Sequence, residues 1–246
     1  MKTGMRKGFL EGAVFFCIIA LLCIGTYQRN AFWRNEVTLW KDCIRKAPQK
    51  ERPHHNLGYA FLRQEQWSDA KKEFEAALAL NPRYALSMYN LGLTFYREGR
   101  MAEAVVWYKK AIAEDPNLPD SLYNLGLAYY QKGRYRDAVK AYKKFLEAKP
   151  DYKNGYLSLG LAYSKLKKWD EAIRSFEEEV KRHPENTYAH GYLGVAQLAL
   201  GNKSKALFHL RKALADPNVA DAVKFRKAVS VIEAARKEER GKEQDG

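Results

Sequence analysis

The chain has 246 residues, 46% hydrophobic and 29% charged, with a formal net charge of +14. That length is ample for a buried core, and the apolar content excludes a disordered polymer. The charge suits nucleic acid, an anionic surface or an acidic protein; because Lys and Arg alternate with Asp and Glu, as at Lys71-Lys72-Glu73, solvated outer helix faces account for it and nucleic acid is the least favoured partner.

Residues 1–7 form a basic tail carrying Lys2, Arg6 and Lys7. Residues 8–28 hold one charge, Glu11, around an apolar heart at 13–24, which is about the length a helix needs to cross a bilayer. An uncleaved transmembrane anchor is expected, against a removed signal peptide and a buried soluble helix; Cys23-Ile24-Gly25 is a poor cleavage pattern. The basic N-terminus argues for an extracytoplasmic repeat domain, periplasmic in a Gram-negative cell, while Arg29, Arg34 and Lys41 oppose that bias. The expected localisation is a single-pass membrane protein.

In residues 29–50, Trp40, Cys43 and Pro48 show the second-helix spacing of a unit whose first half is missing. An orphan helix packed on the first repeat is predicted there. Cys17, Cys23 and Cys43 make no disulfide framework, and no His, Cys or carboxylate spacing suits a metal, so neither metal nor cofactor is expected.

From 51 to 218 the chain repeats every 34 residues, in units 51–84, 85–118, 119–152, 153–186 and 187–218. Leu57-Gly58, Leu91-Gly92, Leu125-Gly126, Leu159-Gly160 and Leu193-Gly194 set the phase. Ala70, Ala104, Ala138, Ala172 and Ala206 follow in step, then Phe74, Tyr108, Tyr142, Phe176 and Leu210. Pro82, Pro116, Pro150, Pro184 and Pro217 close the units. Leu122, Leu125 and Tyr129 stripe a first helix, and Ala138, Tyr142 and Phe145 stripe a second. Small Gly126 and Ala138 let the two backbones approach. Gly99, Gly133 and Gly201 stand where first helices stop, because glycine accepts the left-handed conformation that ends a helix; proline bars the second helix from continuing.

Residues 219–240 read as a capping helix that grows charged toward its tip. Residues 241–246 read as a disordered polar tail.

On this spacing the chain resembles the tetratricopeptide repeat family over residues 51–218. The resemblance implies an all-α fold, a right-handed α-solenoid of tandem helix-turn-helix repeats, here preceded by one transmembrane helix. Phe145 and Glu179 stand where the family favours alanine and Lys167 where it favours glycine, which predicts weaker packing at those places. Residues 33–40, from Trp33 to Trp40, also resemble the junction between membrane helix and repeats in bacterial relatives of protein O-mannosyltransferases.

In this family first helices line the concave side. Asn56, Asn90 and Asn124, each preceding a Leu-Gly pair, resemble the inner ladder of the tetratricopeptide domain of O-linked N-acetylglucosamine transferase. A carboxamide both donates to and accepts from a peptide group; the generic Asn-Leu-Gly consensus is the competing explanation. The same face should carry His55, Tyr59, Arg63, Tyr89, Tyr96, Arg97, Tyr123, Tyr130, Gln131 and Lys165. Tyr with Arg is the composition of binding hot spots, and the cations would receive acidic peptides or a C-terminal carboxylate. No phosphate loop or nucleophile elbow is present. A non-enzymatic scaffold near a membrane, holding an extended peptide or partner protein, is therefore expected. The alternative is an accessory or truncated relative of a protein-glycosyltransferase system that presents polypeptide substrate.

Overall fold

The computed structural model describes residues 35–244, together with Ile19, Cys23, Thr26 and Tyr27. It divides into two compact units, one ending at Thr94 and one beginning at Phe95. The described residues form helices joined by short turns, with no strand.

In the first unit, α1 (Glu36–Lys46) starts at Asn35, whose side chain accepts the Val37 and Thr38 amides at 2.9 and 3.4 Å, so two orphan donors of the first turn are satisfied. α2 (Glu51–Arg63) and α3 (Trp67–Leu80) follow as a packed pair, and α1 lies against α2. Lys41 approaches the Phe61 ring, and the Arg63 guanidinium meets Glu36 at 3.0 Å. The division between units falls within α4 (Ala85–Arg97).

In the second unit the end of α4 is followed by α5 (Met101–Glu114), α6 (Pro119–Gln131) and α7 (Tyr135–Ala148). Then come α8 (Gly155–Lys165), α9 (Trp169–Arg182), α10 (Thr187–Ala199), α11 (Lys203–Leu214) and α12 (Ala222–Gln244). From α5 to α12 each helix packs on its sequence neighbours, and α10 also touches α8 and α12.

The alanine landmarks of the repeat are fully buried, and the large residue four positions later is buried beside each of them. At Gly126 a Cβ would stand 2.5 Å from the Tyr142 ring, so the crossing of α6 and α7 admits hydrogen only. Five turns between paired helices use one left-handed residue, at Glu65, Gly99, Gly133, Lys167 and Gly201. Lys167 takes φ +57° and Glu65 φ +58°, so at two of the five turns a side chain occupies a conformation that costs roughly 1 kcal/mol outside glycine.

The sequence reading of weak packing at Phe145 and Glu179 is corrected by the side chains themselves. Phe145 is fully buried, with its ring 5.0 Å from those of Tyr123 and Tyr152. Glu179, also fully buried, accepts the backbone amides of Asn154, Tyr156 and Leu157 at 2.7, 3.1 and 3.2 Å. Asn186 donates its side-chain amide to the same carboxylate at 3.0 Å. The buried charge therefore sits on the N-terminus of α8, where free amide groups and the helix dipole stabilise an anion.

The expected single-pass membrane localisation is also corrected: among the described residues no helix is long and apolar enough to cross a membrane. The paired helices run 11 to 14 residues, and α12, at 23 residues, is interrupted throughout by Lys, Arg and Glu. Residues 8–28, on which the anchor rested, lie outside the described residues apart from the four isolated positions. α12 continues past Gly241 to Gln244, where the composition predicts a disordered tail.

Candidate functional site

Within the first unit the residues expected to face a guest divide into buried and open. His55 is 8% exposed, its Nδ1 2.9 Å from Ser87 Oγ and its ring against Tyr84 and Phe74; burial pushes its pKa down to about 4, so it is a neutral core residue at pH 7. Asn90 is 5% exposed. Its carbonyl accepts the Thr94 hydroxyl at 2.8 Å. Asn56 and Tyr89 are half-buried, and Tyr59 and Arg63 are exposed. The Arg63 charge is engaged by Glu36 of α1.

In the second unit the face formed by the first helices is better defined. Tyr96, Tyr123, Asn124 and Tyr130 are half-buried, whereas Arg97, Gln131 and Lys165 are exposed. Gln131 donates its Nε2 amide to Tyr96 Oη at 2.5 Å, tying the end of α4 to that of α6. Tyr123 Oη and Ser158 Oγ are 3.2 Å apart. The Tyr123 ring packs within 5.0 to 5.7 Å of Phe145, Tyr152 and Tyr142, so it serves the core as well as the face. Burial raises the pKa of Tyr96, Tyr123 and Tyr130, keeping these phenols protonated and able to donate.

Beyond Tyr130 the face deepens into a cavity of about 340 Å³ lined by Tyr130, Leu161, Ser164, Lys165, Trp169, Tyr192, Val195 and Lys224. Lys224 comes from α12; its Nζ lies 4.2 Å from the centre of the Tyr192 ring, a cation–π distance. Tyr192 donates its hydroxyl to Asp221 at 2.9 Å. Desolvation lowers the Lys224 pKa, with Asp221 opposing the shift. An apolar floor with two ammonium groups and a phenol at its edge can take a large apolar side chain and hold an anion beside it.

Sequence reasoning found Tyr130 and Lys165 of this cavity and missed Trp169 and Lys224. Trp169 opens a second helix. Lys224 lies outside the five repeats, and one lysine among several in a capping helix carries no periodic signal.

The tetratricopeptide repeat family matches residues 55–119 and 157–222, just over half of the chain. The family described as anaphase-promoting complex, cyclosome, subunit 3 matches residues 97–179. Comparison with curated proteins finds no match. The crystal structure of YrrB, described as a TPR protein with an unusual peptide-binding site, aligns at 21% identity and TM-score 0.69 over 76% of this chain and 97% of its own. MamA from Desulfovibrio magneticus RS-1, from residue 41 to its end, aligns at 20% identity and TM-score 0.65, over 70% and 97%. A further MamA structure aligns at 22% and 0.64, over 67% and 90%. At these identities the likeness establishes the fold.

Proposed function

The chain belongs to the tetratricopeptide repeat family, and from that premise we propose that it is a binding scaffold holding an extended polypeptide segment on the first-helix face of its second unit. The observation that carries this reading is the cavity at Tyr130, Leu161, Lys165, Trp169, Tyr192 and Lys224. An extended peptide would lay one large apolar side chain into it. Lys165 and Lys224 favour a carboxylate next to that side chain, so acidic peptides are preferred. Tyr123, Asn124 and Gln131 continue the face and present hydroxyl and carboxamide groups to a peptide backbone. His55 and Asn90 leave this proposal because both are enclosed by their own unit; substituting Asn90 would test stability before it tested binding. The family and the likeness to a peptide-binding protein support the reading.

The test is selection from a library of extended peptides, followed by titration of the selected sequences. Tyr130→Ala and Lys165→Glu should each weaken the selected peptides by about 1 to 2 kcal/mol, the effect of truncating a buried aromatic or reversing a charge at an interface. Helical circular dichroism should be unchanged. Peptides that bind both variants as tightly as the parent protein would remove this face from the function.

A further inference from the structure

The seam between the second helices α5 and α7, floored by α6, is a groove of about 270 Å³. Ile112, Leu122, Leu125, Tyr129 and Ala141 supply its apolar surface, and Lys109, Lys140 and Lys144 stand at its rim with Asp137. Asp137 is held by Arg134 at 2.7 Å. Among the described residues no carboxylate pairs with Lys140 or Lys144, while Lys109 lies 5.9 Å from the Tyr129 ring.

The same seam one repeat later carries a covering side chain. There Arg182 lies over the Tyr156 ring at 5.3 Å, and its guanidinium joins Glu178 at 2.7 Å and Asp151. Shifting back by the 34-residue repeat places Ala148 for Arg182, Lys144 for Glu178, Asn117 for Asp151 and Leu122 for Tyr156. The open seam has thus lost the covering side chain and both carboxylates, and one of the carboxylates is replaced by a cation.

From this contrast we infer that the α5–α7 seam is a second docking surface, separate from the first-helix face, whose occupant is a partner polypeptide segment with a large apolar residue flanked by Asp or Glu. The partner supplies what the following seam supplies for itself: an apolar group over the exposed floor and carboxylates between the lysines. Charge complementarity selects an acidic segment, and the apolar floor separates such a segment from a simple polyanion.

The experiment is anisotropy titration of the full chain carrying Tyr130→Ala and Lys165→Glu, which disable the first-helix cavity, with a fluorescein-labelled, amidated Glu-Glu-Phe-Leu-Glu-Glu peptide. Saturable binding is expected, weakened at least about tenfold by Lys140→Glu with Lys144→Glu. Lys144→Glu with Ala148→Arg restores two of the four side chains that build the cover of the following seam and should abolish binding there. Restoring Tyr130 and Lys165 should leave the seam affinity unchanged and at most add a second, separable binding phase. Replacing Phe-Leu by Ser-Ser, or the glutamates by glutamine, should each reduce affinity. The inference is overturned by absence of saturable binding, by parental affinity in the double lysine variant, or by full affinity for the Ser-Ser peptide. It is equally overturned if saturable binding appears only when Tyr130 and Lys165 are restored, which would place the peptide on the first-helix face, or if a thymidine oligonucleotide binds the same lysines more tightly. Should the charge reversals disturb the melting curve, Lys140→Gln with Lys144→Gln is read in their place, with the same expected direction.

Discussion

Residues 145 and 179 occupy the same place in the third and fourth repeats, and the protein fills it in two chemically opposite ways. Phe145 completes an aromatic cluster with Tyr123 and Tyr152. Glu179 instead caps a helix with three backbone amides. The neighbours change in step: the residue equivalent to Tyr123 is Leu157, whose amide reaches the carboxylate. A helix-pair backbone therefore does not dictate one kind of core; a ring or a carboxylate is acceptable if the surrounding groups satisfy it.

The strongest way to break this comparison is Phe145→Glu. It would place a carboxylate among the rings of Tyr123 and Tyr152 and should cost about 5 kcal/mol, measured by urea unfolding. Glu179→Ala should cost about 3 kcal/mol, since it strands buried amides at the start of α8. Glu179→Gln should fall between that variant and the parent in the same assay, because an amide oxygen still accepts but carries no charge.

Gly126→Ala and Gly160→Ala sharpen the comparison from the side that the two repeats share. Each should cost about 2 kcal/mol through overpacking against Tyr142 or Phe176, seen as similar falls in melting temperature. Unequal falls would mean that the carboxylate-capped repeat yields where the aromatic one does not. The smallest effect belongs to the turns. Lys167→Gly should stabilise by about 1 kcal/mol, and Gly133→Lys should destabilise by about the same amount, both read from denaturant midpoints.

Much of the fold was legible because the repeat imposes the same steric demand at every copy. Ala138 and Ala172 must be small wherever two helices cross, and Tyr142 and Phe176 must be large beside them. Gly133 and Gly201 mark turns whose left-handed residue is written in the chain, whereas Glu65 and Lys167 conceal it, because a strained residue held by its context leaves no compositional signature. The candidate site was less legible. Helical spacing assigns Tyr130, Gln131 and Lys165 to one face, and of these Tyr130 and Lys165 line one cavity. It cannot show that Ser87 claims His55 or that α1 brings Glu36 to Arg63, since these depend on partners 32 and 27 residues away.

By itself the sequence determined the period, the helix-pair architecture and the positions that must be buried, because each follows from local sterics and repetition. The tertiary structure alone decided which buried polar groups are satisfied, which of two equivalent seams is covered, and that Lys224 completes a cavity begun by Tyr130. Those outcomes depend on atoms that meet only after the helices have packed.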